Sequence, residues 1–272
     1  MIQNVLVGVN TYPGHSYCRD RFIERVQALG CDVYMVWNGE GKPNKLFPKT
    51  WKIDIYKERA SERGLDILRN KQNMIRDYFL KNKKYTHLFM AESDNFFPAN
   101  IVRKFLGYKR DMVTGLYFID SNSGYKVPLT SHTRQKYAEQ FEEYNGEPVV
   151  AFTFKQIPCV WDLDDKGNSA MWQFNDWIYN RGFRRIFASG LGAVLIKRKV
   201  LDKVKFRLKH EDDPHQQFTD FMFYWDAYKL GYELWLDGDM IVGHEHHEED
   251  TFAQKKWFDA KDLSVQTKRA AF

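Results

Sequence analysis

The sequence predicts an α/β fold built around a mainly parallel sheet, and three observations carry that prediction. Residues 5–9 read as a strand, and a helix follows with apolar positions Phe22, Ile23, Val26 and Leu29 that stops at Gly30. Residues 31–37 then read as a second strand. A strand-helix-strand unit of this length implies parallel strands joined by a right-handed crossover. The third observation is the apolar run 85–91, which ends abruptly in Glu92-Ser93-Asp94. Two acids there stand at the carboxyl end of a sheet, the edge where open α/β sheets bind ligands.

The remaining elements follow in order. Asn10 to Gly14 is a turn-rich loop, and residues 39–49 form another, filled with glycine, proline and lysine. Residues 66–80 are helical, with Ile67, Leu68, Met74, Ile75, Tyr78 and Phe79 in one stripe and Arg69, Asn70, Asn73 and Arg76 off it. Pro98 opens a helix carrying Ile101, Val102, Phe105 and Leu106, and residues 111–118 are a strand interrupted by Gly115. Periodicity then breaks down over about 120–187, an irregular insertion expected to cover the site and meet the acceptor. Order returns with the loop Ser189-Gly190-Leu191-Gly192, a strand at 193–196 and a short helix at 200–204. A helix from 218, with Phe218, Phe221, Met222 and Trp225, ends at Gly231. Two short strands, 232–236 and 240–242, lead to Gly243-His244-Glu245-His246-His247 and a polar tail over 248–272. With no internal repeat and no linker, residues 1–272 are expected to form one domain.

Composition narrows the function. A chain of 272 residues with 43% apolar content is globular. It has no apolar run long enough for a bilayer, and no membrane partner is expected. The start of the chain lacks signal-peptide character. Three cysteines, odd in number and without metal spacing, fit a reducing cytoplasm. The formal charge of +5 permits an anionic partner.

The acid triplet supplies hard oxygen donors for Mg2+ or Mn2+, and such a cation can bridge nucleotide phosphates. Asp220 sits in the first turn of its helix, off the apolar stripe, where exposed backbone N–H groups favour a carboxylate. That placement suits a general base, with Asp226 and Glu211 next in line. The histidine run lacks the partner pair of a structural zinc site. One imidazole as a ligand to a nucleotide-bound cation is more economical, His244 first and His246 as the alternate.

Several matches occur in one order: a strand into Asn10-Thr11-Tyr12-Pro13-Gly14, Arg69-Asn70 on a helix, Leu88 to Asp94, Val113 to Tyr117, Ser189-Gly190-Leu191-Gly192-Ala193, Thr219-Asp220-Phe221 and Gly243-His244. This succession, over roughly residues 1–247, resembles the GT-A-fold glycosyltransferases of the family-two-like kind, including small stand-alone ones of bacteriophages. The resemblance implies a three-layer α/β GT-A fold with a mixed, mainly parallel sheet, helices on both faces and an acceptor-side insertion. It implies a nucleotide-diphosphate sugar donor, a UDP-sugar foremost, held by Thr11, Tyr12, Pro13, Asn38, Arg69, Glu92, Ser93, Asp94, Gly190 and Gly192. Asp94 and His244 would ligate Mn2+ or Mg2+, and Asp220 would be the catalytic base. Glu92 stands where the family has Asp.

The acceptor rests on the middle segment, where Trp161, Trp177, Arg184 and Arg185 interleave aromatics with cations. A saccharide would use the aromatics; a hydroxymethylated base in DNA would use both. Two rival functions stand beside glycosyl transfer: a metal-dependent nucleotidyltransferase, and a non-catalytic nucleic-acid-binding module with strongly salt-dependent affinity.

Overall fold

A computed structural model describes residues 2–11, 13–39, 42–120, 125–128, 141–144, 147–152, 156–165, 167–172, 176, 182–211, 213 and 218–244. Eight strands form the central sheet: β1 Ile2–Asn10, β2 Cys31–Trp37, β3 Lys52–Ile55, β4 His87–Glu92, β5 Met112–Leu116, β6 Phe183–Ile186, β7 Ala193–Lys197 and β8 Leu234–Ile241. Their spatial order is β6-β8-β5-β7-β4-β1-β2-β3. β1 pairs in parallel with β2 and β4, β2 with β3, and β5 with β8. β7 runs antiparallel between β4 and β5, and β6 lies antiparallel on β8. The sheet is therefore mixed and mainly parallel, as predicted.

Strand alternation sorts the core into two layers. On β1, Leu6 faces one cluster while Val5, Val7 and Val9 face the other. On β4, Leu88 and Met90 oppose Phe89 and Ala91 in the same way. The first layer is closed by helices α2 (Gly64–Lys81), α4 (Arg198–Lys203) and α5 (Thr219–Lys229), through Ile75, Phe79, Val200, Leu201, Phe221 and Met222. The second is closed by α1 (Arg19–Ala28) and α3 (Ile101–Gly107), through Phe22, Val26, Ile101, Val102 and Phe105. Gly8 sets the approach of α2 to β1, since a Cβ there would lie 2.4 Å from Ile75 Cγ2. Helices on both faces of one sheet make this a three-layer α/β architecture. No helix among the described residues is long and apolar enough to cross a membrane.

Several elements differ from expectation, each for a physical reason. β3 is an unpredicted edge strand: Lys52 and Asp54 ion-pair at 3.0 Å, so its sequence carries no apolar alternation. The two strands expected at 232–236 and 240–242 are one strand, β8. Within it Asp237 is 2% exposed, held by Lys104 at 2.6 Å and the Tyr108 hydroxyl at 2.9 Å. The insertion is not wholly irregular. It contains short strands at Val160–Leu163 and Ser169–Met171, the first also pairing with Ala188–Ser189. Pro98 precedes α3, whose N-cap is Asn100. Phe218, placed in an apolar stripe, is the 52% exposed N-cap of α5. Arg76, placed off the stripe of α2, is buried because its Nε donates to the carbonyls of Leu201 and Val204, both at 2.8 Å. Those acceptors are the open end of α4, which an apolar side chain would leave unsatisfied. The tail 248–272 lies outside the described residues.

Candidate active site

The carboxyl ends of β1 and β4 adjoin, with Asn10 and Glu92 in register. Beyond β4 the chain turns through Ser93 and Asp94 into a two-residue strand, Asn95–Phe96, which pairs antiparallel with Gly243–His244. That pairing brings residues 150 positions apart into contact: His244 Nε2 lies 3.2 Å from Asp94 Oδ2. His15, in the 3-10 turn Pro13–Tyr17 after β1, places its Nε2 3.6 Å from the same oxygen and its Nδ1 2.7 Å from Ser93 Oγ. Thr11 donates to Ser93 Oγ at 2.9 Å, and Cys18 Sγ donates to the Ser93 carbonyl at 3.1 Å. The middle residue of the acid triplet is thus the buried post to which the first loop is tied.

The electrostatics divide three carboxyls. Burial pushes Asp94 up, but the His244 hydrogen bond and the charges of His244 and His15 outweigh it and hold the group below the usual range. Burial, with the charges of Asp94 and Asp220, pushes Glu92 up to about 8. Burial also pushes Asp220 up to about 6, opposed by backbone N–H groups at the start of α5, where the Phe221 N–H donates to Oδ1 at 2.8 Å. One site therefore holds an ionised carboxylate, a largely protonated one, and a third that changes state just below neutrality.

The loop before β7 fits this edge because two glycines remove side chains from it. At Gly192 a Cβ would stand 1.7 Å from Asn95 Nδ2 and 3.1 Å from Glu92 Oε2; at Gly190 it would stand 1.6 Å from the Tyr117 hydroxyl. The Gly192 carbonyl accepts the Glu92 N–H at 3.3 Å, and Ser189 Oγ donates to the Cys159 carbonyl at 2.8 Å. Asn95 is fully buried against that loop.

For a divalent cation, the observation that bears on fit is Asp94 Oδ1, which is buried and, among the described residues, has no hydrogen-bond partner. An orphaned carboxylate oxygen is costly unless something meets it, and a hard cation is a suitable partner. Among the described residues no three His, Cys, Asp or Glu side chains group to enclose a metal by themselves. Asp94 and His244 fit as two ligands of a hard cation and would leave its other positions to groups from outside the chain.

Of the predicted donor residues, Thr11, Glu92, Ser93, Asp94, Gly190 and Gly192 meet at this edge, with Asp220 and His244. Asn38, at the end of β2, is linked to Thr11 through Lys71. Pro13 opens the 3-10 turn, and Tyr12 lies outside the described residues. Arg69 points into a different network: it pairs with Asp66 at 3.1 Å and donates to Asn70 Oδ1 at 3.0 Å, while Asn70 donates to Tyr56 and Glu62. On the acceptor side, Trp161 meets the Phe221 ring edge-on at 6.0 Å, one residue from Asp220. Arg184 lies 3.5 Å from Asp162 and over the Trp172 ring at 4.9 Å, and Arg185 pairs with Glu233 at 3.3 Å. Trp177 and His246 lie outside the described residues. Asp226, next in line as base, is clamped by Arg207 at 2.6 and 2.9 Å.

Sequence reasoning missed His15, Lys71 and Asn95. His15 and Asn95 each follow closely on a strand's carboxyl end, a signal that could have marked them. Lys71 had none, because a lysine inside a helix reads as surface.

No protein-family model matches the chain, and no curated protein sequence matches it. Among solved structures, the crystal structure of A197 from STIV aligns with a TM-score of 0.46 at 13% identity, covering 90% of this chain and 87% of that one. The crystal structure of S. aureus TarS 1-349 aligns with a TM-score of 0.42 at 11% identity, covering 88% of this chain and 59% of that one.

Proposed function

We propose that this protein is a glycosyltransferase of the GT-A kind that moves a sugar from a nucleotide-diphosphate donor, a UDP-sugar foremost, to an acceptor hydroxyl. The observation that carries the reading is the gathering at one sheet edge of Glu92 and Asp94 at the end of β4, His244 at 3.2 Å from Asp94 Oδ2, and Asp220 in the first turn of α5, where burial raises that carboxyl to about 6. A base poised just below neutral pH is ionised when needed and still basic enough to receive a proton. Asp220 takes the acceptor proton as the acceptor oxygen attacks the anomeric carbon. The bond from that carbon to the diphosphate oxygen breaks, and the nucleoside diphosphate leaves with the electron pair. A single displacement inverts the anomeric centre. Mn2+ or Mg2+ held by Asp94 and His244 would offset the charge of the leaving diphosphate. Thr11 and Ser93, joined by a hydrogen bond, fix the first loop against the metal side. Glu92, beside Asp94 at the end of β4, would accept or donate a hydrogen bond to a donor hydroxyl.

For the acceptor, the pairing of Arg184 with Asp162 and of Arg185 with Glu233 favours a saccharide-like hydroxyl over a DNA phosphate track. The test is a screen of nucleotide sugars with Mn2+ or Mg2+, scoring nucleoside diphosphate release with and without acceptors. Release from one donor, lost with chelator and with Asp220→Asn, is the expected result. Pyrophosphate release would replace this reading with nucleotidyl transfer, and label entering hydroxymethylated duplex DNA would reassign the acceptor.

A further inference from the structure

Lys71 reaches from α2 toward the carboxyl ends of β1 and β2 and is 3% exposed. Its ammonium donates to the backbone carbonyl of Thr11 and, at 2.7 Å, to Asn38 Oδ1. Both acceptors are neutral, and among the described residues Lys71 forms no ion pair. Asn38 in turn donates its Nδ2 to the Glu58 side chain, so its amide is fixed at both ends. A buried ammonium without a carboxylate is an expensive way to join two loops. Burial accordingly pushes it down to about 8, with only a counteracting pull from Glu58.

An apolar side chain would leave the Thr11 carbonyl and Asn38 Oδ1 without their donor, but a neutral amide supplies N–H donors without a buried charge, so the two hydrogen bonds give a reason for a donor and none for the charge. The place of the two groups in the fold does give one. Thr11 and Asn38 end adjacent strands at the ligand edge, and His15, which contacts Ser93 and Asp94, feels the Lys71 charge. We propose that Lys71 is a positioning residue for an anionic nucleotide. It holds the Thr11 and Asn38 loops in register, and the bound nucleotide supplies negative charge beyond the pull of Glu58. The inference rests on the nucleotide-diphosphate reading of the donor and names a residue that reading does not require.

The experiment compares wild type with Lys71→Gln, which keeps N–H donors and loses the charge, using calorimetry against UDP, GDP, CDP and ADP with Mn2+, and thermal melting without ligand. The expected result is nucleotide affinity lower by about tenfold or more, as for loss of a charged hydrogen-bonding group, with a ligand-free melting temperature unchanged or raised. Turnover at saturating donor should fall far less than donor KM rises. A Lys71→Gln protein that melts lower or does not fold makes Lys71 a structural residue and overturns the proposal. Unimpaired nucleotide binding by that variant also overturns it while leaving the transfer reading intact. A wild type that binds none of the four nucleotides sinks both.

Discussion

The donor edge and the acceptor side of this molecule treat charge in opposite ways. At the ends of β1, β2 and β4 charge is left unfinished: among the described residues Asp94 Oδ1 has no hydrogen-bond partner and Lys71 forms no ion pair, feeling only the pull of Glu58, and Glu92 is pushed to about 8. Across the strands at Val160–Leu163 and Phe183–Ile186 charge is closed. Arg184 has Asp162 and Trp172, Arg185 has Glu233, and Trp172 Nε1 donates to Asp162 at 2.8 Å. Folding alone favours closed networks, because unpaired buried polar groups cost free energy and return none. On the proposed reading, the edge with unfinished charge is where the charged donor would sit, and the paired basic residues of the other side are not.

The comparison breaks most directly at Asp94. Asp94→Ala removes the ionised carboxylate, and we expect donor binding with Mn2+ in calorimetry to be lost together with transfer. Normal donor affinity in that variant would show that the acid triplet is not the metal side.

Asp220→Asn comes next. It keeps size and much of the hydrogen bonding but cannot accept a proton. Turnover should fall on the order of a hundredfold with donor affinity near normal. In wild type, turnover should decline as pH drops through about 6, where Asp220 becomes protonated, and the variant should lack that limb. The linked stability has a definite sign. The folded carboxyl is raised above its usual value of 3.8, so between there and about 6 the folded state holds a proton that the unfolded state has lost. Asp220 therefore destabilises the fold as pH rises through that window, and Asp220→Asn should melt higher than wild type at pH 8. Retained turnover would move the base elsewhere, though not readily to Asp226, which Arg207 already holds.

A smaller effect is expected at the loop between the two regions. Gly192→Ala sets a methyl where Asn95 Nδ2 now sits and close to Glu92 Oε2. The amide must move, and transfer should fall roughly tenfold, the scale of a small misplacement at a reacting site. Unchanged kinetics in a folded variant would show that Asn95 and Glu92 do not depend on that close approach.

The smallest effect belongs to the closed side. Arg184→Ala with Arg185→Ala should change transfer to a saccharide by less than about threefold, because half-exposed ion pairs contribute little. If the acceptor is DNA, the same double variant should flatten the salt dependence of binding by up to about two phosphate contacts. A flattened slope would reverse the contrast between the two regions.

Much of the architecture was legible in the sequence, because central strands buried on both faces of the sheet write continuous apolar runs. β1, β2, β4 and β7 all show them, and Gly30 and Gly231, at φ 65° and 79°, punctuate the ends of α1 and α5. β3 was not legible, since a charged edge strand lacks that signal. The acid triplet and Asp220 could be singled out because each stands where a periodic element starts or stops. Only the tertiary structure decided what surrounds them. It set His244 against Asp94 through a two-residue strand pair, brought His15 to the same oxygen, and turned Lys71 inward while Arg69 joined Asp66 and Asn70. Those outcomes depend on long-range register and on which polar groups burial leaves without water. Local periodicity records which face of an element is apolar, and it carries no information about which distant side chain will share a buried oxygen.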